Sequence, residues 1–406
     1  MDMKAIFSAA LGINNPWFIE DVRFNVEHKR LDIDLDFKPG TKFEVAGLGS
    51  FGAYDTVQKS WRHLNFFEHE CYLNARIPRV KDDDGKLHTV MPGWSGLSNG
   101  FTLLFEALIL WLAMSMPIGK VAELLKISDG KIWRMLDNYV DSAVKLNDYS
   151  EVTVVGMDET SIAKGHDYIT LFVDLIKRRT ISIAMGKASS TVEHFKQDLE
   201  THNGSAANIS DVSCDMSPAF IKGVTDNLPN AKITFDKFHV LKIINEAVDK
   251  VRRSEVADNP VLRGMRYIFL KNECNLTANQ LKQKQSLESL GLKSWRAMSI
   301  RESYQAIYQA ETSKDFETLL NKWYYWASHS RLEPIKQAAK MVKNHWDGIV
   351  RWKSSQINNG ILEGLNSVLQ AAKRKARGYK FKHFKTIAFL ITGKLDFRQL
   401  NNCLPT

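Results

Sequence analysis

The chain has 406 residues, 44% of them hydrophobic and 25% charged. That composition excludes a disordered chain or a collagen-like fibre, and the length calls for two or three domains rather than one core. The formal net charge is +9, a basic excess that points to a polyanionic partner only where it is concentrated.

Cys71, Cys214, Cys274 and Cys403 lie far apart in sequence. This argues against a disulfide scaffold and a local thiolate metal knuckle, and makes a reducing cytoplasm the expected compartment. The opening MDMKAIFSAALG lacks the pattern of a signal peptide. The most apolar run, 101–114, is interrupted by Glu106 and is too short to span a bilayer. It reads as a buried helix.

Residues 20–45 alternate, with Val22, Phe24 and Val26 followed by Leu31, Ile33, Leu35 and Phe37. This is the period-2 pattern of half-buried strands, and Pro39-Gly40 ends it as a turn. Strands at 70–80 and 86–90 flank a KDDDG turn. A small β-rich domain is expected over 1–95.

Residues 101–149 read as helices. One covers 101–114, a second starts at Pro117, and a third follows Ser128 as N-cap. The spacing of Val121, Leu124, Leu125, Ile132 and Leu136 gives a helix-turn-helix pattern. Lys131 and Arg134 fall on the exposed side of the third helix, as candidate DNA contacts. A plain three-helix packing unit has the same spacing, so both readings stand at this point.

The run TVVGM then leads into Asp158. A polar turn at 164–167, strands at 168–173 and 180–185, and a helix at 191–200 follow. A strand at 209–214 runs into Asp215. A helix at 217–226, a strand at 231–235 and a helix from His239 complete the segment. The order β-β-β-α-β-α-β-α predicts a mixed sheet with helices on its faces, the order of the ribonuclease H-like fold. Residues 251–355 carry five Trp between Trp295 and Trp352 and no strand pairing pattern, and read as a helical insertion.

An amphipathic helix is expected over 357–372. Ile361, Leu365, Val368 and Ala372 share one side; Asn359, Glu363, Asn366 and Gln370 share the other. The run KRKARGYKFKHFK at 373–385 holds seven Lys or Arg and no acid. It reads as a patch for a polyanion, with Lys373, Arg374, Lys375, Arg377 and Lys380 as candidate DNA contacts. The fold class expected is α/β: a ribonuclease H-like core with a helical insertion, preceded by a small β-rich domain and a helix-turn-helix domain. The boundaries are 1–95, 96–149, 150–250, 251–355 and 356–406.

Asp158 and Asp215 close two strands that neighbour each other in this fold. Either aspartate alone reads equally well as a turn or cap residue. Glu159 points to the other side and takes a structural role. In DKFH, Asp236 and His239 are a capping Asp and a first-turn His, or support for the site. Carboxylates gathered at strand ends repel one another unless a hard cation neutralises them. Mg²⁺ does so, accepting one or two carboxylates plus phosphate oxygens. Two such ions about 3.5–4 Å apart can clamp both oxygens of an in-line displacement.

The segments FTLLFEALILWLAMSMPIGKVAELLKISDGKIWRMLDNYV, VVGMDETSIAKGHDYITLFVDL, SCDMSPAFIKGV, FDKFHVLKIINEAVDKVRR and NNGILEGLNSVLQAAKRKARGY resemble the DDE transposases of bacterial insertion sequences, in the group with a helical insertion before the last carboxylate. The resemblance implies Asp158, Asp215 and Glu363 as catalytic, metal-holding residues. Glu363 is chosen over nearby acids by NNGILEGLNS alone. The resemblance further implies Mg²⁺, with Mn²⁺ as a substitute. It implies double-stranded DNA carrying terminal inverted repeats, and target DNA, as partners. A homodimer or larger assembly on DNA, a nucleoid-associated cytoplasmic place and no membrane are also expected.

One departure concerns the start. Members of this group carry a zinc ribbon there, but Val45 and Leu48 stand where cysteines belong. No zinc is expected, and the two apolar side chains would form a miniature core instead. Two other functions fit the residues: a ribonuclease H-like nuclease without strand transfer, and a non-catalytic helix-turn-helix regulator.

Overall fold

A computed structural model describes residues 3–98, 100–162, 168–357 and 360–403. The chain forms two compact units, Met1–Asn147 with Ala371–Thr406, and Asp148–Gln370.

The first unit opens with α1 (Met3–Leu11). Six strands follow: β1 (Trp17–Asn25), β2 (Arg30–Phe37), β3 (Lys42–Val45), β4 (Gly49–Phe66), β5 (His69–Lys81) and β6 (Leu87–Thr89). They form one sheet in the order β1-β2-β5-β4-β3, with β6 on β5. Leu31, Ile33 and Leu35 of β2 point inward onto Trp61, Leu73 and Ile77, as their alternation requires. Val45 packs with Phe37, Phe43 and Val80. Leu48 is exposed in the turn between β3 and β4. The miniature core expected of Val45 and Leu48 is therefore built from Val45 and β-strand aromatics instead.

Three helices follow: α2 (Leu103–Ser115), α3 (Ile118–Leu125) and α4 (Asp129–Lys145). Val121, Ile132 and Leu136 are buried between them, whereas Leu124 turns outward. Lys126 closes α3 in the left-handed region at φ 54°. Ser128 stands at the N-cap of α4 without a side-chain cap bond. Glu106, the acid inside the apolar run, is buried and accepts hydrogen bonds from Leu97 N, Ser98 N and Tyr139 OH. A buried carboxylate so saturated is tolerated.

The second unit begins with β7 (Val154–Ser161), β8 (Tyr168–Asp174) and β9 (Arg179–Met185). Then come α5 (Ser190–Thr201), β10 (Asp211–Cys214), α6 (Pro218–Asn227), β11 (Lys232–Phe235) and α7 (Lys237–Glu255). The sheet order is β11-β10-β7-β8-β9. β7, β8 and β9 run antiparallel, and β10 runs parallel to both β7 and β11. The architecture is thus mixed α/β, with a β-rich region and a helix-turn-helix arrangement earlier in the chain. Gly156 makes the centre of the sheet possible: a Cβ there would meet Leu175 Cδ2 at 2.9 Å.

Six further helices follow: α8 (Arg266–Leu270), α9 (Ala278–Glu288), α10 (Lys293–Ile307), α11 (Ser313–Ser328), α12 (Glu333–Asn344) and α13 (Trp346–Ser355). Their tryptophans serve mainly as core. Trp323 is buried and donates to Ile300 O at 2.9 Å, and Trp295, Trp346 and Trp352 are half-buried, while Trp326 is exposed. The chain closes with α14 (Gly360–Lys375) and α15 (Phe381–Thr392). The expected turn at 164–167 and Asn359 lie outside the described residues.

Candidate active site

The site is built on the central strand of the second unit. Val155 and Met157 are buried, so alternation brings Asp158 out, half-buried, in the middle of β7. The parallel pairing with β10 joins Ser213 to Gly156. Two residues further on, that register sets Asp215 level with Asp158. The pairing of β10 with β11 joins Cys214 to Phe235, and Asp236 N donates to Cys214 O at 3.1 Å. One residue further on, Asp236 stands level with Asp215. Asp215 and Asp236 thus follow the ends of β10 and β11, at the edge where sheet sites collect. Asp158 stands level with them but does not close its strand as expected, because pairing with β8 carries β7 on to Ser161.

Each carboxylate is tied locally. Asp158 Oδ1 accepts from Glu159 N at 2.8 Å, and Oδ2 accepts from Asn366 Nδ2 at 2.6 Å. Asp215 Oδ1 accepts from Ser217 N at 2.9 Å, ahead of α6. Asp236 caps α7, with Oδ1 accepting from Phe238 N at 2.9 Å and Oδ2 lying 3.1 Å from His239 Nδ1. Glu159 is ion-paired with Lys187 at 4.0 Å.

The charges act on one another. Burial, reinforced by the repulsion of Asp215 and Asp236, pushes the Asp158 carboxyl up to about 6. The bond from Asp236 and the nearby charges of Asp158 and Asp215 raise the His239 imidazole above its ordinary value. Asp158, Asp215, Asp236 and His239 therefore share one electrostatic environment.

Glu363 sits in the first turn of α14 and is exposed, without a hydrogen bond or ion pair among the described residues. Its helix docks through the side expected to be polar. Besides the Asn366 bond, Gln370 Nε2 donates to Thr160 Oγ1 at 2.7 Å and to Ser161 O at 3.2 Å. Glu363 precedes Asn366 by one helical turn on that face. The apolar stripe keeps the expected Ile361 and Leu365, which pack beside buried Leu362, but departs from it at Val368, which is exposed, while Leu369 is buried. Docking the polar face onto β7 accounts for that departure. Among the described residues, no three His, Cys, Asp or Glu side chains form a ready metal cage. The structure thus couples Asp158 and Asp215 with Asp236 and His239, and Glu363 forms no cluster of three with them among the described residues.

The basic candidates lie in the first unit. Lys131 and Arg134 are exposed on α4. Arg374, Lys375, Arg377 and Lys380 are exposed, and Lys373 is half-buried. Arg134, Lys375, Arg377 and Lys380 line one 810 Å³ cleft. Trp133 and His383 stack across it with centroids 3.8 Å apart and planes at 3°. Sequence reasoning missed this stack, since neither residue has a spacing signal of its own.

A helix-turn-helix arrangement, a basic cleft along its last helix and three aspartates level on neighbouring strands mark the class of a DNA-handling α/β protein. The profile described as "Transposase" matches residues 155–388, and the profile described as "Helix-turn-helix domain of transposase family ISL3" matches residues 99–140. The chain belongs to transposase family ISL3 and is a DNA transposase, of a family whose members are metal-dependent DNA-cleaving enzymes. It is 24% identical to the transposase for insertion sequence element IS1001 of Bordetella parapertussis, over 87% of this chain and 89% of that one. It is 25% identical to the transposase for insertion sequence element IS1557 of Mycobacterium tuberculosis, over 92% of each chain. No helix among the described residues is long and apolar enough to cross a membrane.

Proposed function

We propose that the chain binds the terminal inverted repeats of its insertion sequence, cleaves the DNA strand at their ends and joins the freed ends to target DNA. Asp158, Asp215 and Glu363 are the catalytic carboxylates of this reading. The observation that carries it is the level placement of Asp158 and Asp215 on paired parallel strands, in a strand order compatible with a ribonuclease H-like core.

The donor set fits a hard cation. Asp158 and Asp215 offer oxygens alone and repel each other, and Mg²⁺ needs only one or two carboxylates while keeping its waters. Asp158, Asp215 and Glu363 would hold Mg²⁺, or Mn²⁺ in its place. When bound, the ion supplies Lewis-acid stabilisation of the charge on the phosphoryl group. Asn366 orients Asp158, and Asp236 orients His239. Asp236, Asp158 and Asp215 favour the protonated form of His239, and a proton there would offset part of the carboxylate repulsion. Asp236 caps α7 and holds His239, which suits a supporting role, and the family resemblance of NNGILEGLNS selects Glu363 as the third carboxylate.

DNA is held elsewhere. Lys131 and Arg134 on the helix-turn-helix domain (96–149), with Lys373, Arg374, Lys375, Arg377 and Lys380, contact phosphates and make affinity salt-dependent. The domain 1–95 does its part without zinc. Two ends must be processed together, so a homodimer or larger assembly forms on DNA, at the nucleoid. The test is incubation with Mg²⁺ of precleaved end DNA and a target plasmid. Joined products support the reading. Cutting without joining favours a plain nuclease, and binding without either favours a regulator.

A further inference from the structure

A second pocket opens in the Asp148–Gln370 unit, 610 Å³ in volume, between α7, α8 and α10. That volume lies in the range of about 300–1,000 Å³ typical of ligand pockets. Five cationic side chains against two carboxylates line it. One carboxylate, Asp249, is already paired with Arg252, Arg253 and Arg266.

The informative group is Arg301. It is 2% exposed, and its bonds run to neutral acceptors: Asn245 Oδ1 at 2.7 Å, Asn272 Oδ1 at 2.9 Å and Lys271 O at 3.3 Å. It has no ion pair among the described residues. Glu302, whose charge acts on it, is paired with Lys284 instead, so Arg301 is held chiefly by neutral amides and a carbonyl, at a cost for a buried cation.

Arg301 also fixes what the pocket offers. A guanidinium is donor-only, so both asparagines must turn their oxygens to it. Gln305 Nε2 also donates to Asn272 Oδ1, at 2.6 Å. Asn245 Nδ2 and Asn272 Nδ2 are left as donors and Gln305 Oε1 as acceptor, with no hydrogen bond among the described residues. Such a mixed edge matches the edge of an unpaired nucleobase. Phe238, 46% exposed, adds an aromatic face at one end. It adjoins His239, and its N–H donates to Asp236 Oδ1, so the pocket starts beside the carboxylate that caps α7. Lys242 and Lys250 stand exposed on its rim.

We propose that this pocket seats one unpaired nucleotide of the DNA strand next to the cleavage position, its base against Phe238 and the amide edge and two successive backbone phosphates toward Lys242 and Lys250, one to each. This rests on the transposase reading for the identity of the strand, but not on the catalytic roles of Asp158, Asp215 and Glu363.

The test measures binding of a short single-stranded oligonucleotide carrying 5-iodouracil to the full chain in chelator, so that cleavage plays no part. Two variants are compared with the parent chain. In Lys242→Ala with Lys250→Ala, affinity falls about tenfold, and the dependence of log affinity on log salt becomes shallower by about 1.4, or about 0.7 for each phosphate that a lysine no longer neutralises. In Asn272→Asp, the new carboxylate keeps both hydrogen bonds and neutralises Arg301. Thermal stability is therefore held or raised while affinity again falls about tenfold. Photo-crosslinks map to the peptide containing Phe238 or to the 266–272 segment. Parent-like affinity in the double lysine variant, or crosslinks confined to other segments, overturns the proposal. The outcome is independent of the cleavage assays: a chain that fails to cut DNA can still pass this test, and a chain that cuts can fail it.

Discussion

Asn366 donates a 2.6 Å hydrogen bond to Asp158 Oδ2 across 208 positions of sequence. The bond joins α14 to the middle of β7, and it converts a helix face expected to be solvated into a docking face. Asp158 is thereby oriented by the helix that carries Glu363. Residues that orient a metal ligand without touching the metal are worth about 10–100-fold in activity. Asn366→Ala is expected to slow Mg²⁺-dependent end cleavage by that factor and to leave end binding in chelator unchanged. A parent-like cleavage rate would make the bond incidental.

Asp158 carries a pH signature. Its carboxyl is raised to about 6 in the folded chain, chiefly by burial, against about 3.9 when unfolded. The folded state therefore binds this proton more tightly than the unfolded state. Its stabilising contribution is present below about pH 4 and is lost as pH rises through about 6. Asp158→Asn, which cannot ionise, is expected to be more stable than the parent by on the order of 1–2 kcal/mol above about pH 7 in chelator, allowing for a half-buried group. The gap closes toward pH 4. Added Mg²⁺ raises the melting temperature of the parent and not of the variant. Thermal melts across pH, with and without Mg²⁺, read all three effects. A gap that is independent of pH contradicts the placement of Asp158.

Part of this is legible in the residues themselves. TVVGM followed by Asp158, and the short strand before Asp215, stand out because strands buried on both faces read as continuous apolar runs. The strand β4 does not: QKSWRHL has no clean alternation, since much of it faces water and only Trp61, Arg62 and His63 are buried in sequence. The face of α14 is misjudged at Val368 because amphipathicity assigns polar residues to solvent, whereas Asn366 and Gln370 spend their amides on β7. The level register of Asp158, Asp215 and Asp236 needs strand pairing, which no local pattern states. Arg301 and its asparagines come from three separate segments, so their pocket has no linear signature.

Gly156 sets the packing of the central strand. A methyl group there meets Leu175 Cδ2 at 2.9 Å and its Cγ at 3.3 Å. Gly156→Ala is expected to destabilise the chain by about 1–3 kcal/mol, the usual cost of overpacking. Adding Leu175→Ala to that variant recovers part of the loss. Urea unfolding of the single and double variants measures this, and an undiminished midpoint in Gly156→Ala contradicts it.

Lys131 and Arg134 are exposed on α4 and carry no ion pair among the described residues. If each meets one phosphate of the end, each Ala substitution makes the salt dependence of end binding shallower by about 0.9. Affinity falls correspondingly at low salt, and cleavage of DNA already saturating the protein is unaffected. Gel-shift titrations at several salt concentrations give the slope. Parent-like slopes in both variants remove these side chains from the interface.

The central claim is that Asp158, Asp215 and Glu363 act together on the scissile phosphate. The most direct measurement is Mg²⁺-dependent cleavage of duplex DNA carrying a terminal repeat, by Asp158→Asn, Asp215→Asn and Glu363→Gln beside the parent chain, with end binding in chelator as the control for folding. The account predicts loss of cleavage in all three, with end binding retained. Parent-like cleavage by any one of them would contradict it for that residue, and retained cleavage in Asp215→Asn would undo the level pair on which the site is built.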